Sequence, residues 1–215
     1  LALRNVDIAQ MCGADGVFLI NHGTMCNKEL LELYSVVCEK HPDFWIGMNF
    51  KGLSNRDALS LMPDNTCGLW TDHAGITDTS DREAQEFVQD CAKSEWKGMY
   101  FGGVAYMHQE PVHDLARVAK RAVQFMDVIT TSGDRSGIPP SPQKVTTIKN
   151  AVGEMPVAIA GGIGFENVHL YPKADCFLVS RTISKSEFEL DPKLVKEFED
   201  ELDHDPYEAP MCMAS

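Results

Sequence analysis

Seven times along these 215 residues a short apolar run is followed by a stretch with helical spacing. The runs are 15–21, 44–50, 67–72, 98–105, 127–132, 156–160 and 175–180. The stretches that follow them are 28–40, 55–62, 81–93, 112–125, 142–152, 165–171 and 192–203. Most of the runs are unbroken rather than alternating, the pattern of strands covered on both faces. Strand and helix in strict alternation imply right-handed crossovers and a parallel sheet, which places the chain in the α/β class. One more helix, 3–14, precedes the first run and offers Val6, Ile8, Ala9 and Met11 for packing. A helix that opens such a series is expected to follow a strand. The expectation is therefore a (β/α)8 TIM barrel whose first strand lies ahead of Leu1 and is missing here. A doubly wound open sheet is the rival. One domain is expected over 1–203, with a loosely ordered tail over 204–215.

Composition narrows the functional classes. Nineteen Lys and Arg against 32 Asp and Glu leave a net charge of −13, which opposes binding along a phosphate backbone and argues against a nucleic-acid partner. A local pocket can still be positive, so a small anion is compatible. No apolar run approaches the roughly 18 residues that would suggest a membrane span. The seven cysteines form no C-x-x-C pair and most sit in apolar segments, which reads as free thiols in a reducing cytoplasmic setting. Self-association is a tendency of barrels of this kind.

In a barrel the ligand sits on the loops that follow the strands. Gly161 and Gly162 follow the sixth run, and Ser180 and Arg181 follow the seventh. Glycines admit a ligand close to the backbone, and loop or helix-start N–H groups favour an anion. These four residues are read as a phosphate site, although a plain glycine turn and an Arg181 paired to surface carboxylates are open alternatives. Thr131, Ser132 and Gly133, with Asp134 and Arg135 beyond them, form a hydroxyl-rich loop suited to a polar ligand. The other strand ends carry Asn21 and His22, Asn49 and Lys51, Asp72 and His73, then Tyr106, His108 and Glu110. Asn21, His22, Asn49, Asp72 and His108 are the candidates for acid–base chemistry, with Asp72 as base or as the group that orients a histidine. No cofactor is expected. A divalent metal on Asp72, His22 and His108 is an alternative without supporting ligand spacing. Lys97, Lys144 and Lys173 are expected near strand starts or on helices, away from the mouth.

Four segments resemble the BtpA family: ALRNVDIAQMCGADGVFLINHG, MNFKGLSNRDALS, DVITTSGDRSGIPPSPQKVTTIKNAV and MPVAIAGGIGFENVHLYPKADCFLVSRTISK. The resemblance runs from about residue 2 to 203 and is most specific over 126–185. There Ser132, Gly133, Ser136, Gly137, Pro139 and Pro140 fit the family's V-T-G-x-x-T-G-x-P-P pattern in kind. Gly162, Glu166, Asn167 and Val168 fit G-S-G-V-T-x-E-N-V, and Asp175 and Val179 fit D-G-x-I-V-G-T. Three departures stand out. Gly161 replaces a serine, Ser180-Arg181 replaces G-T, and Ile20-Asn21-His22 lacks an acid found in the family. The resemblance implies a phosphate-binding barrel of the ribulose-phosphate-binding kind and a strand ahead of residue 1. One member class is associated with photosystem I assembly, and others occur beside sugar or nucleoside metabolism. The combined expectation is an enzyme acting on a sugar phosphate or phosphoribosyl compound by acid–base catalysis. Isomerisation, aldol cleavage and glycosyl transfer are all open. A non-catalytic assembly or regulatory factor with a vestigial phosphate pocket, and a metal-dependent hydrolase, are the alternatives.

Overall fold

The computed structural model describes residues 1–203; the expected tail at 204–215 lies outside the described residues. Seven parallel strands run in strict chain order: β1 (Gly16–Ile20), β2 (Trp45–Asn49), β3 (Gly68–Thr71), β4 (Met99–Gly103), β5 (Val128–Thr131), β6 (Val157–Ala160) and β7 (Cys176–Leu178). Every neighbouring pair is parallel. Between them lie α2 (Asn27–Lys40), α3 (Asn55–Leu61), α4 (Arg82–Lys93), α5 (Leu115–Ala122) and α6 (Pro142–Val152); α1 (Ala2–Cys12) precedes β1 and α7 (Pro192–Asp203) follows β7. A doubly wound sheet reverses its strand order at a switch point. This sheet never does, so the rival fold is set aside in favour of a curled (β/α) barrel of the TIM type. β1 and β7 are its edges. The strand expected ahead of Leu1 concerns residues outside this sequence.

Period-two alternation sorts the strand residues into two layers. One face of the strands, with Ile46, Met48, Leu69, Tyr100, Ile129, Val157 and Ile159, packs into the large core beneath the helices. The other face turns into the barrel, where Phe101, Val128 and Ala158 pack with Phe18, Trp45, Trp70 and Cys176. Edge-on aromatic contacts fill this interior, with Phe18 ring centroids 5.1 Å from both Trp45 and Phe101 and 5.6 Å from Trp70. Inward glycines make the room. A Cβ on Gly47 would stand 2.5 Å from the Phe18 ring, and one on Gly68 would stand 2.6 Å from the Trp45 ring.

The first helix is sewn to the segment after β7 on the outside. Asn5 donates to the Phe188 carbonyl at 2.8 Å and accepts from Leu190 N at 3.1 Å, while Arg4 pairs with Glu189. Phe188 belongs to a hairpin of β8 (Ser184–Ser186) and β9 (Glu189–Leu190), too short to register in the apolar pattern. Two helices are shorter than their patterns predict. Only one 3-10 turn, Val168–Leu170, forms in 165–171. There the Asn167 side chain accepts from Gly164 N and donates to the Gly162 carbonyl, competing with helix hydrogen bonding. The pattern at 112–125 becomes helix only at Leu115, because the Asp114 carboxylate caps Arg117 N.

Candidate functional site

The β6 and β7 ends meet at the mouth. After β6, Gly161 (φ 100°) and Gly162 (φ 76°) both take left-handed backbone that glycine adopts without a Cβ penalty. The two differ in their surroundings. A Cβ on Gly162 would fall 2.2 Å from Pro139 N, so this glycine is a packing requirement against the β5–α6 loop. A Cβ on Gly161 would meet only the Met107 methyl, at 3.7 Å, which leaves Gly161 facing open space. After β7, a 3-10 turn over Arg181–Ile183 brings the Thr182 hydroxyl to the Ile163 carbonyl at 2.9 Å and ties the two loops together. Among the described residues, the backbone N–H groups of Gly161, Gly162, Ile163, Ser180, Arg181 and Thr182 donate to no protein oxygen. Arg181 reaches across to the β5 loop, its guanidinium 3.4 Å from the position of a Cβ on Gly137. Neither Arg181 nor Arg135 forms an ion pair among the described residues. Free amides and unpaired guanidinium groups at the rim of so acidic a chain make a local anion-favouring patch. The helix start expected after Gly162 is only a single turn, so any anion here would rest on loop amides rather than a helix dipole.

The opposite sector carries ionisable side chains. Asn49, 4% exposed, donates from Nδ2 to Asp72 Oδ1 at 3.2 Å. Burial pushes the Asp72 carboxyl above its usual range, partly offset by the Asn49 hydrogen bond and by the positive charges of Lys51 and His108. Asp72 thus lies close to Lys51, His108 and Tyr106, the last of which is raised by burial and by the Asp72 charge. A cavity of about 490 Å³ opens beside it, walled by Asn49, Lys51, Asp72 and His73 on one side and Arg56, Glu83, Glu86 and Asp90 on the other. Arg56 is paired to Asp90 at 2.8 Å.

The loop after β4 roofs this sector. Ala105 (φ 48°) and His108 (φ 65°) are left-handed without being glycine, a strain of about 1–3 kcal/mol each that its contacts must hold. Gln109 Nε2 donates to the Asp72 carbonyl at 2.7 Å, and Met107 N donates to Ser132 Oγ at 2.8 Å. Lys144 donates from Nζ to the Ala105 and Ser132 carbonyls. Burial lowers the Lys144 pKa, with Asp134 opposing the shift. Its placement corrects the expectation that Lys144 stands away from the mouth. A helix after a strand begins at the strand's C-terminal end, so the first turn of α6 lies at the mouth.

Other expected residues are engaged in the protein's own structure. Asn21 Oδ1 accepts from Lys51 N at 2.6 Å and its Nδ2 donates to Asn27, which braces the first two strand ends. His22 is exposed, with its ring 5.7 Å from Phe188. Thr131 is fully buried on the helix-facing side, one residue out of phase with the inward Val128 and Thr130. Ser132 is fully buried and donates to the Gly133 carbonyl at 2.9 Å. A Cβ on Gly133 would stand 2.2 Å from the Ile138 carbonyl oxygen, so Gly133 serves the turn. Among the described residues no group of three His, Cys, Asp or Glu is arranged to hold a metal ion. No helix there is long and apolar enough to cross a membrane. The six described cysteines are free, and burial raises the inward Cys176 thiol to about 11.

No family model matches the chain, and no curated protein matches it. Among solved structures it is similar to phosphoribosyl anthranilate isomerase from Thermus thermophilus, with a TM-score of 0.59 over 93% of each chain and 15% sequence identity. The fold is shared. At that identity the likeness speaks to architecture and to nothing finer.

Proposed function

We propose that this is a BtpA-like, phosphate-binding barrel enzyme that acts on a small phosphorylated metabolite, a sugar phosphate or phosphoribosyl compound, by acid–base catalysis. The observation that carries the reading is the set of unpartnered amides at the β6 and β7 ends, tied together by Thr182 and Ile163 beside an unpaired Arg181. The phosphate rests on Gly161, Ser180 and Arg181, with Gly162 holding the turn. The reacting end lies across the mouth at Asp72, held by Asn49 and flanked by His108 and Lys51. A buried carboxyl whose pKa is raised above the ordinary carboxylate range is a better proton acceptor than a free one. The fold shared with a phosphoribosyl anthranilate isomerase agrees with a phosphoribosyl ligand. A cytoplasmic location fits the free thiols.

Thermal unfolding with inorganic phosphate and a panel of pentose phosphates tests this. A ligand at about 100 times its Kd adds about 2.7 kcal/mol of stability. An unchanged Tm with every phosphorylated compound would instead favour the second reading, a non-catalytic assembly or regulatory factor. The engagement of Asn21 by the Lys51 amide and Asn27 favours that reading, since one expected catalytic group is thereby occupied.

A further inference from the structure

The segment after β4 touches both halves of the mouth. Tyr106 is 6% exposed, packs 6.3 Å from Trp70, centroid to centroid, and lies close enough to Asp72 to feel its charge. Met107 reaches the other half: its methyl is the one group that a Cβ on Gly161 would meet, at 3.7 Å. His108 is again on the Asp72 side, where its positive charge acts on the carboxyl. Residues 106–108 thus alternate between the carboxyl and the phosphate seat.

The backbone does not take this path unaided. Ala105 and His108 are left-handed without being glycine, and such backbone persists only where its surroundings hold it. Gln109 holds the far end: its Nε2 donates to the Asp72 carbonyl at 2.7 Å and to the Gly103 carbonyl at 3.2 Å, and its Oε1 accepts from Tyr106 N at 3.1 Å. Ser132 holds the middle, its Oγ accepting from Met107 N at 2.8 Å. The near end rests on Lys144, whose Nζ donates to the Ala105 carbonyl and, at 2.7 Å, to the Ser132 carbonyl.

Lys144 forms no ion pair among the described residues, and the exposed Asp134 is the charge that opposes the effect of its burial. What the ammonium supplies is donors, three on one atom, enough to serve two converging carbonyls at once. Helix α6 does not need this side chain. Its cap is the Ser141 hydroxyl, which accepts from the Lys144 main-chain N–H at 3.2 Å, and its buried face is Val145 and Ile148. The Lys144 side chain therefore serves the loop rather than the helix that carries it.

We propose that Lys144 is a positioning residue: by joining the β5 end to Ala105, it holds Tyr106 beside Asp72 and Met107 beside Gly161, so that residues 105–109 set both halves of the mouth together. On the Gly161 side this rests on the phosphate reading; on the Asp72 side it stands on the contacts alone. Burial is the largest cause of the raised Asp72 pKa, and the opposing Asn49 hydrogen bond and the charges of Lys51 and His108 are smaller. Releasing the segment withdraws Tyr106 and admits water to Asp72, which lowers its pKa toward the ordinary carboxylate range. Losing the His108 charge acts the other way and is the lesser effect.

The experiment compares Lys144→Met with the native protein, ligand-free. Carboxyl NMR follows Asp72, and 13C-methyl-labelled methionine follows Met107, whose signal is assigned through Met107→Leu. In Lys144→Met the Asp72 pKa is expected to fall and the Met107 methyl to move toward the position of an exposed methionine. Lys144→Arg, which keeps the charge and the donors, brings both back toward native. Either signal left at its native value in Lys144→Met overturns the role. Gln109→Leu frees only the far end and decides the matter if Lys144→Met does not fold: Met107 is expected to keep its native signal because Lys144 still holds it, and a displaced signal overturns Lys144 as the anchor. Inorganic phosphate then probes the other half. In the native protein it is expected to move the Gly161 amide and the Met107 methyl together, and a Gly161 shift without a Met107 shift overturns the Gly161 side. If the Gly161 amide also stays in place, the phosphate reading falls on its own, and the ligand-free Asp72 measurement still decides the anchor.

Discussion

The two halves of the mouth are built on different principles. At the β6 and β7 ends the chemistry is main chain: glycines in left-handed turns, free amides and one long cationic side chain. At the β2, β3 and β4 ends it is side chain: a half-buried carboxyl held by a buried amide, beneath a strained loop pinned from three directions. The first arrangement is rigid and indifferent to pH. The second titrates. On the proposed reading, such a division sets a constant charge on one side against a titratable carboxyl on the other.

Breaking the main-chain half has the largest expected effect. Gly162→Ala places a Cβ against Pro139 in a left-handed turn, and we expect a loss of about 3 kcal/mol or more, measured by urea unfolding. Gly161→Ala meets open space, so only the backbone strain of about 1–3 kcal/mol is expected. An equal loss for the two variants would contradict the division of roles between them. Next comes Arg181→Ala, which is expected to weaken inorganic phosphate by about 10- to 100-fold, the range for a hydrogen bond to a charged group, with the ligand-free Tm unchanged. Calorimetric titration reads the first and thermal unfolding the second.

The side-chain half is sharpened by pH. Because the folded protein raises the Asp72 pKa, the stability Asp72 contributes is fully present below its unfolded pKa of about 3.8 and is lost as pH rises through the folded value. Asp72→Asn removes that dependence. Its Tm is expected to match or exceed the native protein's at pH 7 and to lose that advantage near pH 4, while turnover of any substrate disappears. A Tm difference independent of pH would contradict the assignment. The smallest expected effect is Asn49→Ala, which removes the hydrogen bond that lowers the Asp72 pKa. A further upward shift of Asp72, followed by carboxyl NMR, is the outcome that fits; a downward shift is the one that does not.

The same contrast explains what could be read from the residues alone. Gly161, Gly162, Ser180 and Arg181 are local signals: residue type and position after a strand are enough to single them out. The layer order of the barrel is equally local, since it follows from strand and helix alternating in chain order. Asp72 and Asn49 were visible as strand-end residues, but their hydrogen bond depends on the β2–β3 register, which no single stretch encodes. A strand-end position makes Thr131 look ligand-facing; a one-residue phase difference turns it under the helices and gives Thr130 the interior. Lys144 looked remote because it lies on a helix. Its third position after the cap, behind a strand, was the signal that it stands at the mouth. The helix over 165–171 failed because Asn167 offers its side chain to the backbone of Gly162 and Gly164.

Titrating 15N-labelled protein with inorganic phosphate tests the central claim most directly. The account predicts that the amide signals of Gly161, Gly162, Ser180 and Arg181 move together on one binding curve, while those of the β1 and β2 ends stay in place. Unmoved signals at these four residues under saturating phosphate would contradict it.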